Sequence, residues 1–132
     1  MPNNNTPQSV LAEWQTVLGE RAGLGDESPG RALWPVTAED GAQYLLKCLG
    51  PWRNLPLADE ARILQHVARR GVPVAEFVPT DRATLYAGDI EDSFVLMPRL
   101  ANDPCTAAEL VPVEPAIGAA VAHLHRALAS YP

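Results

Sequence analysis

Gln43-Tyr44-Leu45-Leu46-Lys47-Cys48-Leu49 is the stretch whose reading decides the fold. It is leucine-rich and lies between two turn signals, Asp40-Gly41 before it and Gly50-Pro51 after it, so it reads as a β-strand. Alternation puts Leu45, Lys47 and Leu49 on one face and Tyr44, Leu46 and Cys48 on the other. Both faces are apolar around the lysine, so the strand is expected inside a sheet. Lys47 is also the only lysine of the chain; the other nine basic residues are arginine. An ammonium group among apolar neighbours is costly unless an anion meets it. Lysine is a compact point charge with rotatable donors, suited to phosphate oxygens as well as to a carboxylate. The plainer reading is a lysine that runs its stem to a sheet edge and keeps its head in water.

Working outward, residues 31–37 (Arg-Ala-Leu-Trp-Pro-Val-Thr) read as the preceding strand, with Pro35 suggesting an edge or a bulge. Glu39-Asp40-Gly41 is the turn, and residues 31–49 therefore form a β-hairpin. Beyond Gly50-Pro51, the pattern predicts a helix over about 57–70, closed by Gly71. At 100° per residue, Leu57, Ala61, Leu64, Val67 and Ala68 make its apolar stripe. Glu60 falls inside that stripe, whereas Asp59 falls on the far side with His66 and Arg70. An acid on a buried face needs a partner, and Lys47 is the natural candidate. The plainer reading makes Glu60 an ordinary acid near a helix start.

Ahead of the hairpin, Val10, Leu11, Trp14, Val17 and Leu18 have the spacing of one helical face, which predicts a helix over 8–18 capped by Thr6 or Ser9 and ended by Gly19. After the second helix, residues 72–79 read as an extended connection, 83–87 as a strand, 88–92 as its turn, and 93–97 as a strand ended by Pro98. Residues 101–112 read as irregular, and 114–129 as a last helix with Ile117, Val121, Leu124 and Leu128 on one face.

Composition narrows the function classes. The 132 residues fit one modest domain, and the 47% apolar content is that of a globular protein. A formal charge of −6 argues against a nucleic-acid or anionic-membrane surface. No run of eighteen apolar residues and no signal segment is present, so a soluble cytoplasmic protein is expected. Cys48 and Cys105 show no metal spacing and read as free thiols. His123 and His125 are two apart on a helix and point to opposite sides, so packing and hydrogen bonds account for them better than a metal does. Asp89, Glu91 and Asp92 read as a solvated turn, and Trp14, Trp34 and Trp52 as core or surface anchors.

Five short stretches, in this order, resemble the small lobe of the aminoglycoside phosphotransferase family, which is protein-kinase-like. Asp40-Gly41 resembles its hairpin turn, and Tyr44-Leu45-Leu46-Lys47 its third-strand lysine motif. Gly71-Val72-Pro73-Val74 resembles the connection from its glutamate helix into the fourth strand, and Phe94-Val95-Leu96-Met97 the strand entering the interlobe hinge. Ala122-His123-Leu124-His125 resembles a leucine-histidine helix end. The resemblance spans about residues 20–130. It implies an α+β fold, with a five-stranded, mainly antiparallel sheet packed by the helix at 57–70. The organisation implied is a disordered tail over 1–7, a kinase-like small lobe over 8–100, and a stretch over 101–132 holding the hinge exit and the first helix of a large lobe.

The resemblance also implies a site. Lys47 would hold the nucleotide's α- and β-phosphates, and Glu60 would hold Lys47. Leu45 would form part of the adenine ceiling and Met97 would stand behind the adenine. The Pro98 carbonyl and the Leu100 amide would meet its edge. The phosphate loop would lie at Ser28, Gly30 and Arg31, although Pro29 removes an N–H there and Asp26 and Glu27 repel phosphate. The cofactor implied is ATP or GTP with Mg²⁺, the partner a small molecule bearing a hydroxyl, and no metal ligand lies in this chain. The catalytic base, the asparagine and the metal-binding aspartate of the family would sit in the large lobe, so this chain alone is expected to be inactive. The alternative is a non-catalytic stand-alone lobe that serves as an interaction module and pairs with a second copy through its last helix.

Overall fold

A hairpin at residues 33–49 is the centre of the molecule, seen in a computed structural model that describes residues 5–50, 56–89, 91–100 and 107–132. The strands are β1 (Gly23–Leu24), β2 (Leu33–Thr37), β3 (Gln43–Leu49), β4 (Ala87–Gly88) and β5 (Ser93–Pro98). They form one sheet in the order β1-β2-β3-β5-β4, with every pairing antiparallel. Together with the helices this is the α+β, five-stranded small lobe that the sequence implies. The β2–β3 turn is closed by the Ala38 N–H donating to the Ala42 carbonyl at 2.8 Å and by the Asp40 carboxylate accepting from the Ala42 N–H at 3.0 Å.

Pro35 lies in an interior strand, not at an edge or a bulge as expected. Its carbonyl accepts the Gly25 N–H at 2.8 Å, so its missing N–H would point to that same side. There β1 has already ended at Leu24, and the ladder needs no donor.

The N-terminal segment forms the layer behind the sheet. It is helical from Pro7, as α1 (Pro7–Val10), a 3₁₀ turn (Leu11–Trp14) and α2 (Gln15–Leu18). Helix therefore begins inside the span read as tail, because Thr6 and Ser9 cap each other's backbone N–H groups and Pro7 suits the first turn. Trp14 is fully buried, and its indole Nε1–H donates to the Val78 carbonyl at 2.8 Å. The Asp81 carboxylate accepts from the Thr16 N–H at 3.1 Å, capping α2 from outside. Val10, Leu11, Trp14 and Leu18 pack on Val36, Leu46, Phe94 and Leu96. Each such side chain contributes on the order of 1.5–3 kcal/mol by leaving water.

Helix α3 (Leu57–Arg69) has no residue in this buried cluster. Its buried residue Val67 joins a separate cluster with Val72 and Ala127, flanked by Val74 and Leu124. The partner is α4 (Ala107–Ala129). This helix starts well before the expected 114 and runs through Pro112 and Pro115. Each proline forgoes one intrahelical bond, a local defect that the surrounding helix tolerates. The face with Ile117, Val121 and Leu128 is exposed, while Leu124 and Ala127 turn toward α3.

The region read as a strand over 83–87 is mostly turn. Thr80 and Thr84 bond each other through backbone and hydroxyls, and the Ala83 N–H donates to the Thr80 carbonyl, so these groups are lost to a ladder. Pairing starts only at Ala87. Gly23–Leu24 adds a short strand ahead of the hairpin. Trp52, Cys105, the interior of the 50–54 strand break and the hinge exit at 101–106 lie outside the described residues.

Candidate functional site

Residues directly opposite one another in an antiparallel pair share a face. On the sheet face away from the N-terminal layer, the register therefore builds two adjacent rows. One is Leu33–Lys47–Val95 and the other is Pro35–Leu45–Met97. Along β3, Leu45 and Lys47 are about 6.6 Å apart. An apolar row beside a cation is a surface on which a flat ring could rest with a phosphate reaching the ammonium.

Lys47 is exposed, which corrects the reading of a costly buried ammonium. The strand is central, but the covering layer lies on the opposite face, against Tyr44, Leu46 and Cys48. Lys47 therefore needs no anion for stability and is accessible to one in solution. Leu45 and Met97 are half-buried, Val95 is fully buried and Leu49 nearly so. Pro98 pairs with Tyr44 at the far end of the rows, and the Arg99 N–H donates to the Gln43 carbonyl at 3.0 Å. Pro98 and Leu100 are exposed there, at the edge where a ring would project.

The other end of the rows carries the β1–β2 loop. Ser28 bridges to Leu33, the residue opposite Lys47. Within the loop, the Arg31 N–H donates to the Ser28 carbonyl at 3.1 Å, and Gly30 has φ +70°. Proline followed by a positive-φ glycine is the signature of a type II turn. The Ser28 N–H is spent on the Leu33 carbonyl. Two amides that could have faced phosphate thus close the loop on itself. The loop named in the sequence lies at the lysine end of the sheet, but this turn is not a convergent nest of free N–H groups.

Glu60 is half-buried in the first turns of α3, as its place in the apolar stripe requires. The ion pairs among the described residues are Arg62–Asp59 and Arg82–Glu13, and a Lys47–Glu60 pair is not one of them. Asp59, itself half-buried, pairs with Arg62. The Arg62 guanidinium is raised further above its already high pKa by Asp59 first and by Tyr131 after it.

Cys48 lies on the covered face, half-buried. Burial pushes its thiol pKa up, with the Asp92 and Glu27 carboxylates adding to the effect. His123 is held by structure, since its Nε2–H donates to the Arg70 carbonyl at 2.8 Å. Among the described residues no group of His, Cys, Asp or Glu could hold a metal ion, and no helix is long and apolar enough to cross a membrane.

Sequence reasoning missed His66, Ser130 and Tyr131. His66 bonds α4 from the side of α3 that periodicity assigned to solvent. Periodicity treats one helix at a time, so it does not see a second helix on a polar face.

A five-stranded antiparallel sheet with a single lysine on its central strand, followed by a helix with an inward glutamate, defines a kinase-like small lobe. Solved structures share this fold. An amicoumacin kinase, hAmiN, in complex with AMP-PNP, Ca²⁺ and Ami matches 97% of this chain and 41% of its own, with a TM-score of 0.74 and 18% identity. An aminoglycoside phosphotransferase from Alicyclobacillus acidocaldarius subsp. acidocaldarius DSM 446 matches 77% of this chain and 29% of its own, with a TM-score of 0.60 and 16% identity. The chain thus spans well under half of either protein. Neither a protein-family profile nor a curated protein sequence matches it.

Proposed function

We propose that this chain is the nucleotide-binding lobe of a small-molecule phosphotransferase, which passes the γ-phosphoryl group of ATP to a hydroxyl when a large lobe completes it. The observation that carries the reading is the exposed Lys47 beside the Leu45–Met97 row on one sheet face. Adenine would lie on that row, with its edge toward the Pro98 carbonyl and the Leu100 amide. Lys47 would meet the α- and β-phosphates, and Glu60 would hold Lys47 from α3. Bound ATP would supply the phosphoryl group. The Mg²⁺ ligands and the catalytic base belong to the large lobe in this reading, as the resemblance implies. The resemblance to hAmiN, which is complexed with a nucleotide analogue and a divalent ion, supports the reading.

The test is a titration of ATP onto the chain and its Lys47→Ala variant. Binding by the wild type and a loss of at least tenfold in the variant are expected. Equal affinity in the two would remove Lys47 from the site.

A second reading is a stand-alone lobe that binds a partner and no nucleotide. It is favoured by the self-closed loop at Ser28–Arg31 and by the exposed apolar face of α4 at Ile117, Val121 and Leu128. Its sign in the same titration is absence of ATP binding, together with a concentration-dependent mass in sedimentation.

A further inference from the structure

The last residues of β5 carry backbone groups whose directions the ladder fixes. The Arg99 N–H donates to the Gln43 carbonyl at 3.0 Å, beside the Tyr44–Pro98 pair. Tyr44 and Pro98 therefore exchange no hydrogen bonds with each other. The next pair, Leu45–Met97, exchanges two, and the Met97 N–H faces β3. The backbone of Pro98 points the other way, away from β3. On that same outward side the Leu96 carbonyl accepts the Val78 N–H at 2.8 Å. Proline has a carbonyl and no N–H. From Met97 to Arg99, then, the outward edge presents an acceptor at Pro98 and no donor. Two features produce this together: the proline ring removes one N–H, and the Gln43 carbonyl occupies the next. Pro98 is exposed, so a ligand can reach this edge.

We infer that this acceptor-only edge selects adenine over guanine nucleotides, with Pro98 as the residue that determines the choice. This rests on the proposed reading, in which a base lies on the Leu45–Met97 row and meets Pro98 and Leu100, and it adds the identity of the base. Adenine presents its amino N6–H as a donor and, beside it, ring N1 as an acceptor. Against the Pro98 carbonyl and the Leu100 amide both are paired. Guanine presents the reverse, a carbonyl O6 and then an N1–H. In the same pose O6 meets the Pro98 carbonyl and N1–H meets the Leu100 N–H, acceptor on acceptor and donor on donor. A residue other than proline at 98 would offer O6 an N–H on this same outward side. Turning the 98–99 peptide over would offer the Arg99 N–H, but only by breaking its bond to Gln43. Sliding the ring until O6 meets Leu100 leaves the Pro98 carbonyl without a donor. A polar group left unpaired under a bound ring costs more than a matched pair gains, so a site built on hydrogen bonds rejects a ligand that reverses them.

ATP, GTP, ITP and 2-amino-ATP, each titrated onto the full chain, test this. ITP keeps guanine's O6 and N1–H without its 2-amino group; 2-amino-ATP keeps adenine's edge and adds that group. GTP and ITP should both bind at least about tenfold more weakly than ATP, and 2-amino-ATP within about threefold of it. Pro98→Ala, which restores an N–H to the edge, should strengthen GTP and ITP and narrow the ATP-to-GTP ratio at least about threefold, with the circular dichroism of the folded protein. ITP bound as tightly as ATP overturns the inference. Rejection of 2-amino-ATP with acceptance of ITP also overturns it, because the discrimination then lies at the C2 position. So does a ratio unmoved in folded Pro98→Ala; if that variant does not fold, the wild-type series decides alone. Lys47→Ala separates this inference from the proposed function. Equal binding of ATP and GTP, both weakened by Lys47→Ala, sinks the base selection and leaves the lysine's role standing. Binding of neither nucleotide, or binding indifferent to Lys47→Ala, removes the proposed function and the base selection with it.

Discussion

Replacing Trp14 by alanine should destabilise the fold by about 3–5 kcal/mol, the range for deleting a buried tryptophan side chain. Trp14 is fully buried among Val10, Leu11 and Leu18 on its own segment and Val36, Leu46 and Leu96 on the sheet. Its loss also leaves the Val78 carbonyl without its 2.8 Å donor, which adds to the cost if water cannot reach the group. A domain of this size has about 5–15 kcal/mol in total, so a large fraction is at stake. At about 3–4 °C per kcal/mol, the midpoint should fall by roughly 10–20 °C. Trp14→Phe keeps most of the volume but not the donor, and should cost about 1–3 kcal/mol. Urea unfolding followed by far-ultraviolet circular dichroism reads both, independently of the fluorescence that the substitutions remove. A loss below about 1 kcal/mol for Trp14→Ala would refute the claim that the N-terminal segment closes the sheet's main core.

Two further perturbations probe the frame around the site. Gly88 has φ +94°, and a Cβ there would collide with the Asp92 carbonyl, so Gly88→Ala should lower the melting temperature clearly; Gly30→Ala, at φ +70° but with open space around it, should cost only about 1 kcal/mol. The Cys48 thiol should alkylate more slowly at pH 8 than a free cysteine, with its rate still rising above the ordinary thiol range, because burial, Asp92 and Glu27 raise its pKa; Asp92→Asn should speed it. By the same sign, this thiol stays protonated longer folded than unfolded, so its contribution to stability is lost as pH rises through its raised value. Alkylation of Cys48 as fast as that of a free cysteine, read by peptide mass, would contradict its placement.

Most of the sheet was legible because it is local. The β2–β3 hairpin follows from alternation and one Asp-Gly turn, and β5 from an apolar run stopped by Pro98. Helix α3 follows from a 3.6-residue period. Lys47, Leu45 and Met97 share a face, as alternation and the resemblance together implied. What escaped was set by tertiary contact. Alternation shows which residues share a face, not which face is covered, so Lys47 was read as buried and is exposed. The length of α4 escaped because two prolines mark a helix boundary unless the rest of the helix outweighs them. The end of β1–β2 pairing and the Thr80–Thr84 turn depend on backbone bonds that composition does not encode. The α3–α4 contacts of His66 and His123 escaped because their members lie on two helices more than fifty residues apart.

The central claim is that the Lys47 face of the sheet receives a nucleotide, and amide chemical-shift mapping on the ¹⁵N-labelled chain tests it most directly. It detects even a millimolar affinity, which is only about −4 kcal/mol. Titration with ATP should shift the amides of Leu33, Leu45, Lys47, Val95, Met97 and Leu100 together, in one saturable process that Lys47→Ala abolishes. Shifts confined to the N-terminal layer around Trp14, or none at the highest soluble ATP concentration, would contradict the account.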